Sequence, residues 1–191
     1  MATKKSAGAG GCTDAVNEYF VSQRLTMRPQ SVHDAEALFE AYSDVDLMRY
    51  WSSGPHTTLA ETRAYLGERD GDPKWRGWTI ALKGDDRAIG TMGAGEVRPG
   101  VAEIGYLLVR RHWGQGYARE AVTRLLDLLL LEEGWRRACA DTDPDNEASN
   151  ALLRALGFRR EGHLRGEWET HIGVRDSYIW GLLRDEWVGR G

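Results

Sequence analysis

The run Arg111-His112-Trp113-Gly114-Gln115-Gly116 sets two glycines around one glutamine, behind an alternating apolar stretch and ahead of a helical pattern. Glycine at both places removes the Cβ atoms that would hold a ligand off the backbone. It also permits the positive φ angles that a nest of N–H groups requires. A strand turning through such a loop into a helix aims backbone N–H groups and the positive end of the helix dipole at one point, which is an anion site. Arg111 stands at its rim, placed for a charge-assisted contact. A dinucleotide fingerprint would need a third glycine where Arg119 stands, and a nucleoside-triphosphate loop would need Gly-Lys before Ser or Thr; neither is present. Taken alone, the segment reads equally as a tight strand-to-helix connection.

Other reactive residue types are scattered. Glu103 lies on the apolar strand before the loop, and Glu167, Glu169 and Asp176 fall together in GEWETHIGVRDSY. Cys139 sits within a strand pattern with no histidine near it in sequence, which argues against a nucleophilic cysteine. The histidines at 33, 56, 112, 163 and 171 lack ligand spacing, so no metal is expected, and His112 reads as a surface residue. Of eight tryptophans, Trp113 is expected to pack beneath the loop. Trp51, Trp75 and Trp168 fall in segments flanking an acceptor cleft, although core filling is the reading their type favours.

The elements that must position these groups follow from periodicity. RLTMRP (24 to 29) alternates and stops at Pro29. A helix follows over 31 to 42, with Ser31 as its cap and Asp34 three residues on. A second helix runs from Thr57 or Thr58 to about Arg69, ending before DGDP. Then WTIALK (78 to 83), AIGTMGAGEV (88 to 97) and VAEIGYLLV (101 to 109) form an antiparallel meander. Ala118, Ala121, Val122, Leu125, Leu126 and Leu129 trace one face of a long helix. A strand at 136 to 142, a helix at 148 to 158 closed by Gly157, and a strand at 177 to 183 complete a mixed α+β pattern around one sheet.

At 191 residues the chain suits one domain, residues 21–191, behind a leader at 1–20 that lacks the apolar core of a signal peptide. The balance of 25 Lys+Arg against 29 Asp+Glu gives no global pull toward nucleic acid or an anionic membrane. The richest apolar run, LLDLLLL, is too short to cross a bilayer. Two distant cysteines without CxxC spacing argue against a disulfide framework and fit a reducing cytoplasm.

Two stretches together, EIGYLLVRRHWGQGYAREAV and TDPDNEASNALLRALGFRREG, resemble the GNAT superfamily of acyl-CoA-dependent N-acetyltransferases. Within it they are most similar to the RimJ/RimL-type branch, which acetylates protein N-termini. The opening RLxxRP and the closing Asp176-x-Tyr178 fit as well, so the resemblance covers most of residues 24 to 187. It implies a three-layer fold with a twisted, mostly antiparallel sheet flanked by helices, opening in a V between the fourth and fifth strands to hold acetyl-CoA.

What the resemblance implies for residues is specific. Arg111, Trp113, Gly114, Gln115, Gly116, Tyr117 and Ala118 would hold the pyrophosphate. Backbone groups of Leu107, Leu108 and Val109 would pair with the pantetheine and the thioester carbonyl, and the Asn146 amide would grip the pantetheine. Many members carry a tyrosine acid where Leu153 stands here, and the resemblance instead gives Ser149 to the CoA sulfur. Glu103 is the expected base, with Glu167, Glu169 and Asp176 as competitors. The reaction implied is direct acetyl transfer to a primary amine, a protein or peptide N-terminus first, by a monomer or homodimer. A small amine such as an amino acid, polyamine or aminoglycoside is the alternative, and an acidic cleft would favour it. A non-catalytic acyl-CoA-binding module is a third reading, and acetylation of aminoacyl-tRNA is disfavoured by the charge.

Overall fold

The computed structural model describes residues 19–69 and 74–188. All but the last two residues of the expected leader lie outside this range, and Phe20 already belongs to the first strand. Eight strands form one sheet in the order β1-β2-β3-β4-β5-β6-β8-β7. They are β1 (Phe20–Val21), β2 (Leu25–Pro29), β3 (Trp75–Leu82), β4 (Ala88–Arg98), β5 (Val101–Leu108), β6 (Arg137–Thr142), β7 (Arg159–Thr170) and β8 (Gly173–Leu183). Neighbours are antiparallel except β5 and β6, which run parallel.

Among the described residues six α-helices accompany the sheet: α1 (Ala35–Tyr42), α2 (Val45–Met48), α3 (Leu59–Arg69), α4 (Tyr117–Leu126), α5 (Glu147–Ala155) and α6 (Arg184–Val188). Ala121, Val122 and Leu125 of α4 and Leu153 of α5 pack on one face of the sheet, against Ile104, Leu108 and Trp180. Leu38 and Tyr42 of α1 and Leu66 of α3 pack on the other, against Leu107 and Val109. The two apolar sets alternate along β5, as a strand with a helix layer on each side requires.

Local chemistry explains several boundaries. Ser31 and Asp34 form a reciprocal capping box at the turn leading into α1. Asp34 also takes a bidentate contact from Arg28 at 2.7 and 3.0 Å and the Thr79 hydroxyl at 2.6 Å, tying that turn to β2 and β3. Downstream of α4 the helix widens into a π-type turn over Asp127–Glu132. Leu128, Leu129 and Leu130 are all buried there, which a regular helix stepping 100° per residue cannot do on one face.

Four elements went unseen in the sequence: β1, α2, β7 and α6. β7 is an edge strand that pairs with β8 alone, and nearly every side chain on it is exposed, so it carries no alternating apolar signal. The strand expected at 177 to 183 begins earlier, at Gly173, because β7 supplies it with a partner.

Candidate active site

β5 and β6 pair only at Val101↔Arg137, Ala102↔Ala138 and Glu103↔Cys139. Beyond Glu103 they diverge, although β5 continues to Leu108 and β6 to Thr142. These are the fourth and fifth strands of the sequence reading, now preceded by β1. A cavity of about 510 Å³ passes through the opening. Glu103 and Gly105 line it from the α1 side of the sheet, and Tyr106, Asn146 and Ser149 from the α5 side.

The glycine loop follows β5. Gly114 and Gly116 both take positive φ, 73° and 79°, and Gly116 is the N-cap of α4. A Cβ at Gly114 would meet nothing within 4 Å, and one at Gly116 only the Arg24 guanidinium at 3.5 Å. Glycine is therefore needed for backbone conformation and leaves the loop surface open. The first N–H groups of α4, at Tyr117 and Ala118, have no partner within their own helix. Arg24 braces the loop from behind, donating to the Gln115 carbonyl at 3.0 Å and pairing with Glu120 at 2.6 Å.

Two expectations for this region change. Trp113 does not pack beneath the loop: it is 43% exposed, and its indole N–H donates to the Leu108 carbonyl at 2.6 Å. Of Leu107, Leu108 and Val109, only one presents backbone to the opening. The Val109 N–H donates to the Ile89 carbonyl at 2.9 Å, toward β4. By strand alternation Leu107 points the same way, while Tyr106 and Leu108 point toward β6. With the Leu108 carbonyl taken by Trp113, the groups facing the opening are the Leu108 N–H and the Tyr106 N–H and C=O. Arg111, at the loop rim, forms a salt bridge with Glu40 of α1.

Glu103 lies on the cleft floor beside Gly93, Gly95 and Gly105. Those glycines let the Trp75 indole lie flat on the sheet, since a Cβ on Gly95 would stand 2.6 Å from the ring. Burial, and then the charge of Asp141, pushes the Glu103 carboxyl above the usual carboxylate range. Asp141 accepts from the Trp168 indole at 2.7 Å and faces the Ser177 hydroxyl at 3.5 Å, both neutral groups. Asp143 and Asp145, by contrast, share Arg175 at 2.7 and 2.6 Å.

The competing bases are spoken for or misplaced. Asp176 accepts from the Gly166 N–H at 2.9 Å and from His163 at 2.7 Å, contacts that hold its carboxyl below the usual range. Glu167 and Glu169 are exposed on β7 and do not line the cleft. Cys139 is buried, its thiol pushed up by burial and by Glu103, which disfavours a nucleophilic thiolate.

On the other side, Asn146 caps α5, its Oδ1 accepting from the Ser149 N–H at 3.2 Å. That leaves only its NH2 group to meet a ligand. Leu153, where a tyrosine acid would stand, is fully buried in the core. The Ser149 hydroxyl instead meets the Tyr106 phenol at 2.6 Å. Tyr106 and Asp141 are among the cleft residues that sequence reasoning missed. Parity along β5 placed Tyr106 opposite Glu103, but its partner is 43 residues away and no local pattern joins them. Trp51, Trp75 and Trp168 line the cleft and Trp78 and Trp180 fill the core, so both readings of the tryptophans hold for different members.

Comparison with known proteins agrees with this geometry. Residues 24–159 match the family model described as acetyltransferase (GNAT) domain. The chain is 33% identical over 177 residues to the uncharacterized N-acetyltransferase p20 of Bacillus licheniformis, covering 90% of this chain and 99% of that one. A shorter match, 29% over 75 residues and 36% of this chain, is to the [ribosomal protein uS5]-alanine N-acetyltransferase of Escherichia coli, 39% of which it covers. The GNAT-family acetyltransferase structure from Bacillus anthracis superposes with a TM-score of 0.80 at 26% identity, over 88% of this chain and 99% of that one. The spermidine N-acetyltransferase of Vibrio cholerae, solved with CoA and spermine, shares the fold at a TM-score of 0.74 and 21% identity, over 86% and 98%.

Proposed function

The chain belongs to the GNAT acetyltransferase family and is an acetyl-CoA-dependent N-acetyltransferase, and we propose that it carries acetyl directly from the thioester to a cationic primary amine held over Glu103. The pyrophosphate of acetyl-CoA rests on the open N–H groups of residues 114 to 118, with Arg111 exchanging Glu40 for it. The pantetheine enters between β5 and β6, within reach of the Asn146 amide. There the Tyr106 and Leu108 N–H groups face the thioester carbonyl and supply the oxyanion donor.

Glu103 takes a proton from the bound ammonium, and the neutral nitrogen attacks the thioester carbon. The N–C bond forms, the C–S bond breaks, and the nitrogen gives up a second proton. Sulfur gains one proton by way of the Ser149 hydroxyl, so one proton is released per turn. No acyl-enzyme is needed, and Cys139 takes no part.

One observation carries the acceptor class: Glu103 and Asp141 line the cleft with no cationic partner among the described residues, beside the Trp51, Trp75 and Trp168 indoles. Arg175 spends its charge on Asp143 and Asp145, and Arg49 also faces Asp143 electrostatically. Carboxylates and aromatic faces both attract an ammonium group. A small amine with a second positive charge uses both carboxylates. The α-amine of a peptide is the second reading, favoured by the partial likeness to the uS5-alanine enzyme.

Incubation with acetyl-CoA and a pooled panel of polyamines, amino acids, aminoglycosides and N-terminal peptides, read by mass spectrometry, tests this. Acetylated polycationic amines are expected. Product confined to neutral amino acids would remove the case for the carboxylate pair.

A further inference from the structure

The Leu153 position leaves this site without the tyrosine acid that many of its relatives carry, but a different tyrosine enters from the sheet. We infer that Tyr106 is a positioning residue that aims the Ser149 hydroxyl at the departing sulfur, an inference that rests on the role given to Ser149 above. The two hydroxyls are 2.6 Å apart, one on β5 and one on the first turn of α5. Their bond bridges the region where β5 and β6 no longer pair.

Distance alone does not say which oxygen donates; the surroundings do. The Tyr106 ring packs against the apolar cluster under α4 and α5, and its phenol has no other hydrogen-bond partner among the described residues. If Ser149 donated to it, the phenolic proton would be left without an acceptor, at a cost of about 1–3 kcal/mol. Burial also pushes the phenol up to about 12, so Tyr106 keeps its proton through the working range and is no acid toward a thiolate. Tyr106 therefore donates and Ser149 Oγ accepts.

That assignment frees the serine proton. In the first turn of α5, Ser149 gives its hydroxyl to no backbone carbonyl among the described residues. With one oxygen lone pair occupied by Tyr106, the Ser149 O–H is confined to directions facing the cleft that both residues line. A hydrogen-bond donor held in place before the C–S bond breaks costs no reorganisation when charge appears on sulfur.

The test is a double-mutant cycle on the full-length protein, with Tyr106→Phe, Ser149→Ala and the pair, measured as kcat and KM with acetyl-CoA and the best amine from the panel. Phenylalanine keeps the ring and its packing, and circular dichroism with a melting curve verifies each fold. S149A should lower kcat by about a hundredfold, the lower end of general-acid effects. Y106F should lower it by about tenfold, equivalent to about 1.4 kcal/mol, with the KM for acetyl-CoA held within about threefold. In the S149A background, Y106F should cost nothing further. A Y106F enzyme as fast as wild type overturns the inference, and so does a tenfold loss that persists without Ser149, which would mark a packing effect. If S149A itself is silent, the reading of Ser149 fails, and the inference with it.

Discussion

Replacing Glu103 by glutamine removes the carboxylate while keeping the shape of the cleft floor, and the size of the loss depends on the acceptor. An alkylamine with a pKa of about 10.4 costs about 4.6 kcal/mol to deprotonate at pH 7, whereas an α-amine near 8 costs about 1.4 kcal/mol. A positioned base contributes about 10² to 10⁴ in rate, about 2.7 to 5.4 kcal/mol, a range that brackets the first figure. The structure gives Glu103 the features of such a base: it is half-buried, lies beside Asp141, and is held above the usual carboxylate range by burial first and that charge second. Glu103→Gln should therefore slow transfer to an alkylamine by about 10² to 10³ at pH 7, and transfer to a peptide α-amine by only about tenfold. The deficit should shrink by about tenfold per pH unit toward pH 10, as solvent deprotonates the amine. Thiol release from CoA, followed across pH for both acceptors, reads all of this. A deficit that is flat with pH, or a variant within about threefold of wild type on every amine, would refute the role of Glu103 as base.

Further consequences follow from the same geometry. Asp141→Asn removes the neighbouring charge that helps raise Glu103, so the acidic limb of the rate profile should move to lower pH; a limb that stays or moves up would show the pair is not coupled. Because folding raises the Glu103 pKa, the protonated form binds the fold better. Wild type should lose stability relative to E103Q as pH rises through that folded value and match it in acid, as paired melting curves would show. Asp44 with Arg110 and Glu161 with Arg137 have the opposite sign, their carboxyls held below the usual range by those guanidiniums. Their contribution is present above about pH 4 and lost as pH falls through the folded values, so the melting temperature should drop as the pH is lowered below about 4. Gly114→Ala meets no atom but forces φ 73° on a residue with a Cβ. It should cost about 1–2 kcal/mol, or about 2–8 °C in melting temperature, and weaken acetyl-CoA binding in calorimetry. The same change at Gly67, exposed in the last turn of α3 and free of positive φ, should instead stabilise the protein by up to about 0.5–1 kcal/mol.

The glycine loop was legible because backbone demands are local: positive φ at residues 114 and 116 calls for glycine whatever the rest of the chain does. The meander and the face of α4 were legible for the same reason, since burial against a neighbouring layer imposes a period. β7 was hidden because it is an exposed edge, where neither period nor composition is constrained. Asp141 and Tyr106 were hidden for a different reason. Each owes its role to a partner brought close by topology: Trp168 reaches Asp141 across the sheet, and Ser149 meets Tyr106 over the strand opening. The backbone assignment at 107 to 109 shifted toward Tyr106 and Leu108 because the bond from Val109 to Ile89 fixes which way the strand faces, and spacing alone leaves that parity open.

The central claim is that acetyl-CoA threads the β5–β6 opening, so that its sulfur meets Ser149 and its acetyl carbon faces Glu103. A crystal structure with CoA and an accepted amine measures this most directly. The pyrophosphate should lie on the N–H groups of residues 114 to 118, the sulfur within hydrogen-bond reach of Ser149 Oγ, and the amine nitrogen over Glu103. CoA bound outside the opening, or an amine on the β7 surface away from Glu103, would contradict the account.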